Sequence, residues 1–191
     1  MLTHDEIISK LGPLARLAGV WEGESGHDTA PSDDRGTEVN HYFEKMTFEP
    51  FGPVDNHEQQ LFGLRYSTVA TRIGETEPFH EETGYWLWDA QAKQVMRCFL
   101  VPRGVSVIAG GTVEPTAREF TLTAKLGSPT YGICSNPFLD REFQTVAYIL
   151  MVKVLDSGEL LYEQDTQIKV KGKPDIFHHI DKNALRKTGL L

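Results

Sequence analysis

About ten short segments in which apolar and polar residues alternate leave this chain few folds to choose from. They run Val20–Gly23, Val39–Phe48, Gln60–Val69, Glu81–Trp88, Val95–Val101, Val105–Gly110, Glu119–Ala124, Val146–Val152 and Leu161–Val170, and end at His178-His179. Turn residues separate them, as in Pro102-Arg103-Gly104 and Asp156-Ser157-Gly158. Side chains on a strand alternate between two faces, so each segment has one face to bury. No helical pattern of ten to fifteen residues lies between strands, which argues against a parallel α/β sheet. The expectation is all-β: a single antiparallel barrel of about ten strands, of the calycin or fatty-acid-binding-protein-like kind. One short helix precedes it. Thr3 and Glu6 form a capping box, Ile7, Ile8, Leu11, Leu14 and Leu17 recur at helical spacing, and Gly12-Pro13 is a place to kink or split it. The domain reading is one barrel over residues 1–191, with 1–17 as the capping helix and 18–191 as the barrel.

A chain of 191 residues can bury one substantial core. With 27 acidic against 19 basic residues, its formal net charge is -8, which leaves no surplus of cations for phosphates. Nucleic acid is therefore not an expected partner. No apolar run approaches a membrane span, and no basic cluster suits an anionic surface. The acidic start Thr3-His4-Asp5-Glu6 does not read as a signal peptide, and Cys98 and Cys134 form no metal-binding spacing or disulfide framework. These features predict a cytoplasmic protein with two free thiols. Its partner would be a small molecule, and a homodimer is compatible with the chain.

Two longer connections are expected to be loops bordering a binding site: Pro50–Glu58 and Leu126–Phe143. Near the start, Gly19-Val20-Trp21-Glu22-Gly23 places an indole where it can plug a barrel end, with glycines where the strand must bend. In Pro78-Phe79-His80-Glu81-Glu82-Thr83-Gly84-Tyr85-Trp86, residues His80, Glu82, Gly84 and Trp86 share one strand face. His80 and Glu82 can hydrogen-bond, as a general base or as an internal polar cluster with Arg97; the cluster is the expectation. In His178-His179 one imidazole must face inward, as a hydrogen-bonded core residue or as a metal ligand. Nucleophilic catalysis has little support: Cys98 lies in an apolar strand, and there is no nucleophile elbow, phosphate loop or zinc helix.

Three of these blocks, Gly19–Gly23, Pro78–Trp86 and Phe177–Arg186, resemble the nitrobindin-like haem-binding β-barrels. They bracket nearly the whole chain in the family's order. The resemblance implies a ferric haem b in the barrel mouth, with the closing-segment histidine as axial ligand. That position is His179, because Ile180 follows it, and His178 is the second choice. It further implies an apolar wall around the haem, nitric oxide binding and isomerisation of peroxynitrite to nitrate. On that reading there is no catalytic group beyond the haem iron itself. The sequence departs from the family pattern after Gly26, where His27–Arg35 reads as a longer, more acidic loop, and after the ligand position, where Asp181 and Asn183 replace apolar or small residues. The alternative, from a different class, is a non-catalytic barrel that carries a fatty-acid-like or other apolar molecule without haem.

Overall fold

The computed structural model describes residues 2–190; Met1 and Leu191, the two ends of the expected domain, lie outside the described residues. The chain opens with α1 (His4–Ser9), held by the reciprocal Thr3 and Glu6 capping bonds, and then a 3₁₀ turn over Gly12–Arg16. Gly12, at φ +55°, makes the break between them. Eleven strands follow: β1 (Gly19–Pro31), β2 (Thr37–Asn56), β3 (Gln59–Arg72), β4 (Pro78–Asp89), β5 (Gln94–Val101), β6 (Val105–Thr112), β7 (Glu119–Lys125), β8 (Ile133–Ser135), β9 (Phe143–Val154), β10 (Glu159–Val170) and β11 (Ile176–Gly189). A second short helix, α2 (Pro137–Glu142), stands before β9, capped by the Asn136 side chain.

All pairings are antiparallel, in the order β5-β4-β3-β2-β1-β11-β10-β9-β7-β6, and β5 pairs with β6 to close the ring. The result is a closed ten-stranded barrel. The three-residue β8 lies outside the ring, against β6. It belongs to a segment that bridges the seam where β6 and β7 meet only at Gly110 and Thr123.

One end of the barrel is shut by the N-terminal segment. Leu11, Leu14 and Leu17 insert below Trp21, Phe48, Trp86 and Trp88, all of them buried. Trp21 is 1% exposed and donates its indole N–H to the Leu17 carbonyl at 2.7 Å. The Lys187 ammonium sits 4.9 Å from the Trp21 ring and donates to the Ala18 carbonyl, which ties β11 to this plug.

Three expected loops are corrected. Residues 27–31 are not a loop but the outer half of β1, paired with β2 throughout and with β11 over His27–Thr29, beyond a bulge between Gly23 and Gly26. Pro50–Glu58 is mostly strand: a bulge between Phe51 and Val54 seats Pro53, which has no N–H for the ladder, and the true turn is at His57-Glu58. Leu126–Phe143 contains β8 and α2.

Candidate functional site

Alternation along β11 places Phe177, His179, Asp181, Asn183 and Leu185 on the inner face, and His178, Ile180 and Lys182 on the outer one. The register decides which histidine can matter inside. His178 is exposed and bonds Asp165 on the outer wall through Nδ1 at 2.8 Å. His179 lies at the open end of the barrel with about a third of its side chain exposed, and its Nε2 meets Asp28 Oδ1 at 2.6 Å.

Asp28 comes from the outer half of β1, read from the sequence as loop. Its second oxygen accepts from Asn40 Nδ2 at 2.9 Å, and Asn40 in turn accepts from Arg72 Nε at 2.7 Å. Arg72 lies 4.5 Å over the Phe79 ring. An arc of Arg72, Asn40, Asp28 and His179 thus crosses the mouth from β3 to β11. Burial alone would raise the Asp28 carboxyl, but the hydrogen bonds from His179 and Asn40 and the charge of His179 hold it below the ordinary aspartate value. It is an ionised acceptor that fixes one nitrogen of the imidazole.

Below the mouth the lumen carries a polar network on one side of a largely apolar lining. His80 Nε2 meets Glu82 Oε1 at 3.2 Å, as their shared strand face predicts. Glu82 also accepts from the Arg97 guanidinium and from Tyr66 at 2.6 Å. Burial favours the neutral form of Glu82, but Arg97, His80 and Tyr66 outweigh it and bring its pKa down to about 2. His80 shows the reverse balance: burial opposes its charge, yet Glu82, Asp181 and Glu44 lift its pKa above the ordinary histidine value. Arg97 lies among the rings of Phe99, Tyr66, Trp86 and Tyr148, with centroids 4.4–5.7 Å away, and donates to Tyr148. Gly84 leaves no room for a side chain here, since a Cβ would come 2.0 Å from the Cys98 carbonyl oxygen.

A second polar group was not legible in the sequence. Glu44 of β2 accepts from Thr68 at 2.8 Å and from Asn183 at 3.1 Å, and its Oε2 lies 2.8 Å from the Tyr162 hydroxyl. Tyr162 meets Tyr42 at 2.8 Å, and Tyr42 meets Asp181. Gln164 joins the two groups, donating to Asp181 at 2.9 Å and accepting from Tyr148 at 2.9 Å. Under these polar side chains lies an apolar floor that includes Leu17, Met46, Phe48 and Leu150. The cavity they enclose is about 30 Å³, room for about two waters. An acyl chain does not fit this cavity without repacking.

The donor set at the mouth suits a haem iron. With Asp28 on Nε2, the lone pair of the neutral His179 ring falls on Nδ1, the atom that would meet an iron, and carboxylate backing of the other nitrogen is what a ligating histidine usually has. Among the described residues, no cluster of three or more His, Cys, Asp or Glu side chains could hold a bare metal ion.

A closed ten-stranded barrel with two inward imidazoles in its open half, His179 and His80, has the form of a small ligand-binding β-barrel. The chain belongs to the THAP4-like, heme-binding beta-barrel domain family, whose model matches residues 10–187. This is the nitrobindin-like family of the sequence resemblance, and its barrels bind haem. A solved structure titled "Crystal Structure of Rv2717c from M. tuberculosis" has the same fold, with a TM-score of 0.64 and 21% sequence identity over 95% of this chain and 97% of that one. No curated protein matches the sequence. Among the described residues no helix is long and apolar enough to cross a membrane.

Proposed function

We propose that this chain holds a ferric haem b at the barrel mouth through His179, and that the loaded protein binds nitric oxide and isomerises peroxynitrite to nitrate. The observation that carries the reading is the inward His179 at the open end, with Asp28 on its ring. When bound, the haem supplies the electrophilic iron and the O–O bond chemistry. The rest falls to the chain. Asp28 holds the His179 tautomer and ring plane, and Asn40 and Arg72 hold Asp28. His178, on the outer face, has no part in it. The Cys98 and Cys134 thiols, both free, suit a reducing compartment, and the same reading places the protein in the cytoplasm.

The test is to load the protein with hemin, mix it with peroxynitrite in stopped flow, and assay nitrate against nitrite. The proposal predicts faster peroxynitrite decay in proportion to loaded protein, with nitrate as the product, and a shifted haem spectrum when nitric oxide is added. Decay no faster than with free hemin would remove the isomerase reading, and an unshifted spectrum would remove nitric oxide binding.

A further inference from the structure

Glu44, Tyr162, Tyr42 and Asp181 form a file of four side chains from the middle of the barrel to its mouth. Three oxygen-to-oxygen contacts join them: Glu44 Oε2 to Tyr162 Oη, Tyr162 Oη to Tyr42 Oη, and Tyr42 Oη to Asp181 Oδ1. Each contact needs one proton between its two oxygens. The two phenols bring two protons. A third is therefore required, and only a carboxyl at one end of the file can supply it.

We propose that Glu44 is held as a neutral carboxylic acid and is a proton site inside the lumen, joined to the mouth by the two phenols. Position selects Glu44 over Asp181. Glu44 is 3% exposed, in the middle of the barrel, whereas Asp181 is less enclosed and lies toward the mouth. As the acid, Glu44 donates from Oε2 to Tyr162 and still accepts from Thr68 at Oε1 and from Asn183 at Oε2. Every atom of the group is then satisfied. With both carboxyls ionised, one of the three contacts would set two oxygen lone pairs against each other in a buried site.

The charged and titratable neighbours agree. Around Glu44 are Tyr42 on its own strand, Tyr66 on β3, His80 and Glu82 on β4, Arg97 on β5, Tyr162 on β10, and Asp181 on β11; β1 places Gly23 opposite it. Arg97 and His80 are both bonded to Glu82, so neither cation hydrogen-bonds Glu44. Burial first, and the Asp181 charge second, push the Glu44 carboxyl up to about 7 against its hydrogen bonds. The site exists whether or not a haem is bound.

Infrared spectroscopy of the haem-free protein tests this, because a protonated carboxyl has its own C=O stretch. A band is expected at pH 6 that moves when glutamate, and not aspartate, carries carbon-13, and that falls to about half its intensity near pH 7. Glu44→Gln, which keeps a donor in place, should abolish it. Tyr162→Phe should shift it, since the acid loses its acceptor, while Tyr42→Phe should shift it less. No acid band that moves with the glutamate label at pH 6, or one that survives in Glu44→Gln, overturns the assignment. The labelling result on the unsubstituted protein stands even if a variant fails to fold.

Discussion

The two ends of this barrel follow opposite rules. The closed end is apolar and single-purpose: Leu11, Leu14, Leu17, Trp21 and Trp88 pack with almost no exposure, and the one polar atom of Trp21 is bonded to the Leu17 carbonyl. The open half is lined with carboxyls, phenols, histidines and one guanidinium, each held by named partners. Apolar burial supplies much of the stability in a domain of this size. Buried polar networks contribute less net stability, but each leaves a large penalty if one member is removed. The floor therefore stabilises the barrel, while the lumen and mouth are where protonation and binding can change.

Trp21→Ala should give the largest loss, about 3–5 kcal/mol, because a buried indole leaves a cavity under the helical plug. Chemical denaturation measures it, and an unchanged midpoint would mean that the plug is not what closes the barrel. A loss nearly as large is expected from Arg97→Met, about 3 kcal/mol or more, since Glu82 loses its guanidinium partner in a buried place and keeps only His80 and Tyr66. The double change Arg97→Met with Glu82→Gln should recover part of that loss. If it costs the sum of the singles, the ion pair is not the coupling between these sites.

The third contrast is pH. Glu44 binds its proton more tightly in the fold than in the unfolded chain. The stability this gives is complete below 4.5 and is lost as pH rises through about 7. Glu82 runs the other way: its contribution is complete above 4.5 and is lost as pH falls toward about 2. Glu44→Gln should therefore flatten the decline in stability across neutral pH and leave the acid limb in place. If the variant declines across neutral pH as steeply as the unsubstituted protein, Glu44 is not the titrating group. The smallest effect on folding belongs to Asp28→Asn, which keeps a partner for His179. Its melting temperature should move by only a few degrees, while hemin affinity should fall about 10–100-fold. Unchanged affinity would remove Asp28 from the site.

Much of the closed end was legible in the sequence, because it depends on local pattern. The Thr3 and Glu6 capping box, the leucine spacing and Gly19-Val20-Trp21 are all short-range signals. The His80, Glu82 and Arg97 group could also be read, because two of its members are two apart on one strand and the third is on the next. The glycines were noted for bending the strand. The structure adds another reason at Gly23, where a Cβ would sit 2.4 Å from the Ala184 carbonyl oxygen of β11. The mouth and the Glu44 file were hidden for a different reason. Asp28 and His179 are 151 positions apart, and Glu44 and Tyr162 118, so they meet only through the β1–β11 and β1–β2 pairings that close the ring. Residues 27–31 looked like an acidic loop because strand alternation is weak there and Pro31 ends it. Counting His27, Thr29 as one face and Asp28, Ala30 as the other was the one available signal for Asp28.

The central claim is that the open end presents His179, and not its neighbour, to a haem iron. Titrating hemin into the unsubstituted protein, His179→Ala and His178→Ala, and following the Soret band, tests it directly. The account predicts saturation at one haem per chain for the unsubstituted protein and for His178→Ala, and loss of the shifted band in His179→Ala. A band that survives in His179→Ala, or that is lost only in His178→Ala, would contradict it.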